Sequence, residues 1–219
     1  MRPLLLGHRG ARAIQSIPEN TLASFDHALA DGCDGFEFDV RLSADQVPVV
    51  CHDPRFSGRV ISKTPAANLT ELPRLEDVLS RYHSTAFLDL ELKVAGAERI
   101  VVGLLARHEP HRGFVVSSFL PGVLKTLHEL NSSIPLGLIC DTKAQLARWR
   151  KLSLEYVIPH YRLMTEALVK EVHSASRKIF VWTVNNQNDM QRFADWRVDG
   201  IISDDTAQLA GTLRSLNSR

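Results

Sequence analysis

The sequence predicts an α/β protein of the (β/α)8 barrel class, and three observations point to it. Short strand-like runs alternate with helix-like stretches along the 219 residues, as expected for parallel strands with helical crossovers. Eight of these runs fit barrel strands, which suits a compact barrel of this length. Polar residues stand at the ends of several strands, where such barrels carry their active sites. A doubly wound open sheet is the alternative, because counting strands does not separate the two.

The beginning of the chain shows the alternation clearly. Leu4–His8 is an apolar run that leads into glycine-containing sequence, and it predicts the first strand. Apolar residues recur at helical spacing within Thr21–Asp31, and Gly32 can end that helix. Gly35–Leu42 then predicts the second strand.

A further strand-like run follows too closely for a helical crossover. Val47–His52 begins a few residues after Gly35–Leu42, so the two can only form an antiparallel hairpin. The turn falls at Ala44-Asp45-Gln46. We therefore expect a β-hairpin arm after strand 2, outside the eight barrel strands, which places His52 opposite Asp39. Only a short insertion, residues 54–72, separates this arm from the next helix.

The rest of the chain repeats the pattern of strand and helix. Pro121 suits the first turn of the helix that it begins. The remaining predicted strands are Ala86–Leu92, Phe114–Ser118, Pro135–Ile139, Tyr156–Pro159, Ile179–Val184 and Gly200–Ser203. The remaining predicted helices are Pro73–Tyr82, Ala97–His108, Pro121–Leu130, Lys143–Lys151, Glu166–Ser174, Asp189–Ala194 and Thr206–Leu216.

Composition and charge limit the class of protein. Hydrophobic residues make up 44% and charged residues 23%, with no low-complexity linker, which predicts one globular domain over residues 1–219. The net charge of +1 argues against a nucleic-acid-binding protein. No apolar run is long enough for an integral membrane segment or a signal-peptide core. Three widely spaced cysteines fit reduced thiols and a cytoplasmic protein. Homo-oligomer formation is left open.

Polar side chains alternate along two successive barrel strands, so on each strand they share one face. They are Glu37, Asp39 and Arg41 on the second strand and Asp89, Glu91 and Lys93 on the next. Unpaired carboxylates inside a barrel cost several kcal/mol each. Three oxygens from Glu37, Asp39 and Glu91 would suit a divalent cation, Mg²⁺ or Ca²⁺, better than Zn²⁺.

Cations and histidines surround the same predicted mouth. Arg9 and Lys93 add positive charge beside the cation site, which indicates an anionic substrate such as a phosphate. His8 and His52 flank the site and can serve as a general base and a general acid at neutral pH.

Structural interpretations of these residues remain open. Ion pairs with the neighbouring Arg and Lys side chains would also account for Glu37 and Asp39. Asp89 fits a hydrogen-bonded residue behind the site better than a ligand. Trp182 lies in a buried-strand pattern, so a place in the core and a place in the pocket are both compatible with the sequence.

Nine segments in fixed order resemble the glycerophosphodiester phosphodiesterase family, nearly from end to end. The segments are Gly7–Gly10, Pro18–Thr21, Gly35–Val40, Pro48–Asp53, Leu75–Leu79, Leu90–Lys93, Ser117–Phe119, Val181–Asn185 and Asp199–Asp204. Each is a weak pattern alone, and their common order makes the resemblance specific.

The resemblance implies a TIM-like barrel that hydrolyses small glycerophosphodiesters to an alcohol and glycerol 3-phosphate. It implies these roles by position: metal binding by Glu37, Asp39 and Glu91, acid–base catalysis by His8 and His52, and phosphate binding by Arg9 and Lys93. We expect His8 to be the base and His52 the acid. Phe119 and Trp182 are expected to form an apolar wall for the glycerol or the alcohol.

Two other functions stay open at this point. A lysophospholipase D would use the same chemistry on single-chain phospholipids, and it would need an apolar groove at the mouth. Phe56, Val60 and Ile61 are the candidates for such a groove. A non-catalytic barrel that binds phosphorylated ligands is disfavoured, because none of the costly polar groups of the site is missing.

Overall fold

The computed structural model describes residues 2–214, in which strands and helices alternate as the sequence predicts. The strands are β1 Leu4–His8, β2 Gly35–Leu42, β3 Pro48–Val50, β4 Arg55–Phe56, β5 Arg59–Val60, β6 Phe87–Leu92, β7 Phe114–Ser118, β8 Leu136–Cys140, β9 Tyr156–Pro159, β10 Lys178–Val181 and β11 Gly200–Ser203. The α-helices are α1 Leu22–Ala30, α2 Leu75–Tyr82, α3 Glu98–Arg107, α4 Pro121–Leu130, α5 Lys143–Leu146, α6 Glu166–Ser174, α7 Gln187–Asp195 and α8 Thr206–Arg214. The predicted end of the last helix, residues 215–216, lies outside the described residues.

Eight parallel strands of the described chain close into a barrel. Their order is β1-β11-β10-β9-β8-β7-β6-β2, and β1 pairs with both β11 and β2. Since the first strand has a neighbour on each side, this sheet has no open edge. The closed barrel confirms the predicted fold class and excludes the doubly wound open sheet.

Two apolar layers lie on the two faces of the barrel strands. The inner layer fills the barrel with side chains such as Leu6, Phe180 and Ile202. The outer layer packs strands against helices, and there the rings of Phe25 and Phe36 stack with centroids 4.1 Å apart. The apolar side chains of the inner layer fill the lower part of the barrel. The polar side chains of β2 and β6 that point into the barrel therefore lie above this layer, at the mouth.

The hairpin arm is present, and the insertion after it has its own small core. β3 pairs antiparallel with β2, with Val50 opposite Val40. The backbone N–H of Cys51 donates to the carbonyl of Asp39 at 2.9 Å, so Cys51 lies opposite Asp39. His52, predicted to lie roughly opposite Asp39, is one residue further along, beside the mouth. The insertion adds the antiparallel pair β4–β5, which the sequence reading missed. Ile61 is buried in its core, so the predicted groove of Phe56, Val60 and Ile61 is wrong at that residue.

Several elements end at other residues than predicted; the hairpin strand predicted over Val47–His52, for example, covers only Pro48–Val50. The strand predicted over Ile179–Val184 ends at Val181. Beyond it Trp182 forms an isolated parallel bridge with His160, and the carbonyl of Trp182 accepts from the N–H of Tyr161. The helix predicted over Lys143–Lys151 becomes a 3-10 helix at Ala147. Arg177 donates to the carbonyls of Trp149 and Leu152, so these groups are satisfied without a further α-helical turn.

Within the part of the chain that the structure describes, no helix is both long and apolar enough to span a bilayer. The three cysteines, Cys33, Cys51 and Cys140, are buried.

Candidate active site

Strand register assembles the acidic residues of the site. Glu37 on β2 pairs with His8 on β1 and with Asp89 on β6. Two residues further along β2, nearer the mouth, Asp39 pairs with Glu91. Side chains of alternate residues point to the same face of a strand. The pairing of β2 with β6 therefore brings together carboxylates that are 52 residues apart in the sequence.

Three of these carboxylates converge. Glu37, Asp39 and Glu91 are all buried, and each offers an oxygen within 4.8 Å of those of the other two. Burial, with Asp39 next to it, raises the pKa of Glu37 well above its usual value, and burial raises that of Glu91 to about 7. Burial also acts to raise the pKa of Asp39, but Lys93 and Arg9 lower it by more.

Two cations compensate part of this negative charge. Lys93 Nζ lies 2.7 Å from Glu91 Oε1 and 3.3 Å from Asp39 Oδ1, and Arg9 Nε lies 3.2 Å from Asp39 Oδ2. These approaches are ion pairs without good hydrogen-bond geometry. Among the described residues, one oxygen each of Glu37, Asp39 and Glu91 has no hydrogen-bond partner. Ion pairs with Arg9 and Lys93 thus account for part of the buried negative charge. They leave some carboxylate oxygens of the cluster without a hydrogen bond.

The turn after β1 places Arg9 in an unusual backbone conformation. Arg9 has φ +54°, and its backbone N–H donates to Glu37 Oε2 at 3.1 Å. Gly10 follows with φ +82°. Left-handed conformations of non-glycine residues are costly and cluster at functional sites. The hydrogen bond from the N–H of Arg9 to the Glu37 carboxyl helps to hold the turn that presents Arg9 to the mouth.

His8 is held from behind by an acidic residue. Its Nδ1 lies 2.7 Å from Asp204 Oδ1, and its Nε2 lies 3.8 Å from Glu37 Oε2. Burial is the main reason why the pKa of His8 is lowered, although Asp204 opposes the shift. At pH 7 the ring is therefore neutral, with Nδ1 as the donor to Asp204 and Nε2 left as an acceptor.

His52 lies on the other side of the mouth and is more open to solvent. Its side chain is 35% exposed, against 11% for His8. Nδ1 of His52 lies 2.8 Å from Asp53 Oδ1. Arg41 Nε donates to the carbonyl of His52 at 2.8 Å, so Arg41 holds the backbone of the arm instead of lining the cavity.

A cavity of about 130 Å³ connects these groups. Phe119 and Trp182 form one wall, with their rings at right angles and centroids 5.5 Å apart. Ile139, Ile158 and Ile202 line its apolar part. The pocket alternative for Trp182 is therefore correct.

Asp89 lies at the same cavity but outside the group of three carboxylates. It is fully buried, and Ser117 Oγ donates to its Oδ1 at 2.5 Å. Burial raises its pKa to about 7. This environment fits the prediction of a hydrogen-bonded residue beside the three-carboxylate cluster.

Three polar residues of the site were missed from the sequence. Asn20 donates to Asp39 Oδ2 at 2.8 Å, Glu19 accepts from Arg9 at 2.8 Å, and Asp204 contacts His8. Glu19 and Asn20 belong to the Pro18–Thr21 segment that carries the family resemblance. Asp204 directly follows β11, and the rule that barrel sites gather at the carboxyl ends of strands would have indicated it.

The sequence model of the glycerophosphoryl diester phosphodiesterase family matches residues 8–87 and 88–208. The chain belongs to this family of phosphoric diester hydrolases, as the resemblance predicts. The YhdW protein of Bacillus subtilis is 32% identical over 230 residues, which cover 91% of this chain and 93% of that protein.

Two further proteins are similar over nearly their whole length. The glycerophosphodiester phosphodiesterase of Caldanaerobacter subterraneus subsp. tengcongensis is 27% identical, over 98% of this chain and 99% of that protein. A phosphodiesterase from Oleispira antarctica was solved in complex with the product sn-glycerol-3-phosphate. It is 27% identical, covers 97% of both chains, and superimposes with a TM-score of 0.85.

Proposed function

We propose that this enzyme hydrolyses small, deacylated glycerophosphodiesters to an alcohol and sn-glycerol 3-phosphate. The observation that carries the proposal is one cavity lined by His8, His52, Arg9 and Lys93 together with Glu37 and Glu91, two members of the buried three-carboxylate cluster. Buried, charge-compensated groups that face a cavity are typical of catalytic sites. The product found in the Oleispira antarctica relative supports the same substrate class.

Glu37, Asp39 and Glu91 would hold a divalent cation, Mg²⁺ or Ca²⁺. The oxygens of this cluster that accept no hydrogen bond support the fit, because hard cations bind carboxylate oxygens and would satisfy them. When bound, such a cation neutralises charge on the phosphate and lowers the pKa of a substrate hydroxyl.

His8 would be the general base. Asp204 holds the proton on Nδ1, so Nε2 can accept the proton of the glycerol 2-hydroxyl as that oxygen attacks phosphorus. Arg9 and Lys93 would bind the non-bridging phosphate oxygens, whose charge increases in the transition state. Phe119 and Trp182 would hold the glycerol carbon chain against the cavity wall.

His52 would be the general acid. It gives a proton to the oxygen of the alcohol as the bond from that oxygen to phosphorus breaks. The product of this step is a cyclic glycerol phosphate. Water then attacks phosphorus with His52 as the base, and His8 returns its proton to the 2-oxygen, which yields glycerol 3-phosphate.

Release of glycerol 3-phosphate from a panel of glycerophosphodiesters tests the reaction. The protein is first stripped of metal with EDTA and then supplied with Mg²⁺ or Ca²⁺. We expect release that depends on the added cation. Folded protein that releases no glycerol 3-phosphate under any of these conditions contradicts the proposal, and choline release from lysophosphatidylcholine alone would favour a lysophospholipase D.

Alanine substitutions test the two histidines. His8→Ala and His52→Ala should each lower kcat roughly 10²- to 10⁴-fold, the range typical of general acid–base groups. His128→Ala, on the outer helix α4, is the matched control and should stay within about twofold, as surface substitutions do. If folded His8→Ala or His52→Ala protein hydrolyses the substrate at the normal rate, the acid–base assignment is wrong.

A further inference from the structure

A second, larger cavity begins at His52. This mouth groove has a volume of about 430 Å³ and runs between the Pro18–Thr21 loop and the insertion after β3. Val50 and Cys51 form its floor, and Phe56 and Leu72 line the side formed by the insertion. Both of these side chains pack against the buried core of the insertion, so the groove has a firm apolar wall.

His52 is the residue that lines both cavities. On one side it faces the cavity that holds Arg9, Lys93 and the carboxylate cluster. On the other side it faces the mouth groove. A substrate whose phosphate contacts the two cations therefore has the groove available for the group beyond His52.

We propose that the mouth groove binds the alcohol that leaves phosphorus, and that Phe56 and Leu72 select among alcohols. This inference rests on the proposed function, because it takes His52 as the group that protonates the leaving oxygen. The smaller cavity would then hold the glycerol phosphate part of the substrate. An alcohol protonated by His52 lies next to that ring, and the groove is the larger space there.

The lining indicates which alcohols fit. Three carboxylates, Glu19, Asp53 and Glu71, line the groove together with one guanidinium, that of Arg55. Glu19 is already paired with Arg9 and Arg12. The groove consequently suits a neutral or cationic alcohol of head-group size, such as choline, better than an anionic one.

A ratio of two substrates tests the groove without depending on overall activity. The measured quantity is kcat/KM for sn-glycero-3-phosphocholine divided by kcat/KM for the corresponding methyl diester, whose alcohol is too small to reach Phe56 and Leu72. Leu72→Trp should lower this ratio about tenfold or more, because the indole fills the space that choline needs. Phe56→Ala should lower it roughly threefold to tenfold through the lost contact.

Leu152→Trp is the matched control. Leu152 is half-buried like Leu72, but it lines a groove that shares no residue with either mouth cavity. For Leu152→Trp, the ratio of the two kcat/KM values should stay within about twofold of the ratio for the unaltered protein. Melting curves identify any variant that does not fold, and if Leu72→Trp fails to fold, Phe56→Ala decides.

Ratios within twofold of the unaltered value in the folded groove variants overturn the inference while leaving the proposed function intact. An unaltered protein that hydrolyses neither diester overturns the proposed function and the inference with it.

Discussion

At the scale of single residues, Asp204 sets the orientation of His8. Its Oδ1 lies 2.7 Å from Nδ1 of His8, and its Oδ2 accepts from Asn185 at 2.7 Å. The hydrogen bond to His8 lowers the pKa of Asp204 in spite of its burial, so it is an ionised acceptor at neutral pH. The carboxylate thereby keeps the ring proton on Nδ1 and leaves Nε2 as the acceptor.

Asp204→Asn should lower kcat about 100-fold or more with little change in KM, because an amide can stabilise the wrong tautomer of His8. Steady-state kinetics measure the two constants, and ¹⁵N NMR of the imidazole reports the tautomer. Asn185→Ala, one hydrogen bond further away, should have a smaller effect. A kcat of Asp204→Asn near that of the unaltered protein would contradict this positioning role.

Asp89 makes stability depend on pH. Its pKa is about 7 in the folded protein, whereas an unfolded Asp titrates near its ordinary value of about 4. Between these values the folded state binds more protons than the unfolded state, so the contribution of Asp89 to stability falls as pH rises.

In metal-free protein, Asp89→Asn should therefore be more stable than the unaltered protein at pH 7.5, by about 2–4 kcal/mol, and similar to it near pH 4. Both proteins contain His8, so the difference between their free energies of unfolding leaves its contribution out. This matters because the lowered pKa of His8 makes stability rise with pH, the opposite direction to Asp89. Urea denaturation at several pH values measures the free energy of unfolding. A difference that does not grow with pH would contradict the assignment.

At the scale of elements, the turn from β1 to α1 has no room for a side chain at Gly10. A Cβ there would lie 2.6 Å from the carbonyl carbon of Ser24, in addition to the cost of φ +82°. Gly58 has a similar φ, +79°, but a Cβ there would meet nothing within 4 Å.

The two glycines form a matched pair for substitution. Gly58→Ala should cost about 1 kcal/mol, from the backbone conformation alone. Gly10→Ala should cost roughly 2 kcal/mol more and lower activity, because the clash with the backbone displaces Arg9. Denaturant unfolding and kinetics measure the two effects, and equal costs at both positions would show that the turn has room to adjust.

The insertion shows what local sequence patterns miss at this scale. Strands β4 and β5 have two residues each, too few for alternation to be visible. Ile61 was expected at the surface of a groove because of its place in a loop, and it is buried because the insertion closes on itself. Phe56 does line the mouth groove, as expected, whereas Val60 does not. Leu72 also lines it, although no local pattern in the sequence singles out this residue.

At the scale of the whole molecule, cation binding should stabilise the fold. A ligand that binds only the folded state stabilises it by mass action, and here it would also relieve repulsion among buried carboxylates. We expect saturating Mg²⁺ or Ca²⁺ to raise the Tm of EDTA-treated protein by several degrees.

Glu37→Gln tests whether the carboxylate cluster is the origin of this shift. It should raise the Tm of the metal-free protein, because it removes a carboxyl whose ionisation is disfavoured by burial. It should also lose most of the Tm increase that follows addition of the cation. Glu129→Gln, in an exposed ion pair on α4, should keep the full shift. Calorimetry measures all three proteins, and an undiminished shift in Glu37→Gln would place the cation elsewhere.

By itself, the sequence determined the alternation of strands and helices and the face on which each polar residue lies. Both are local properties, because side-chain direction follows from the two-residue period of a strand. Glu37, Asp39, Glu91, Lys93 and the two histidines could therefore be selected without a structure.

Only the tertiary structure decided which groups meet. Barrel closure depends on the register of eight strands taken together, and it brings Asp204 beside His8 across 196 residues of sequence. The mouth groove likewise exists because the insertion folds over its own apolar core and leaves Phe56 and Leu72 at the edge. Contacts between distant segments carry no local pattern, since they arise from packing and chain closure and not from the conformation of neighbouring residues.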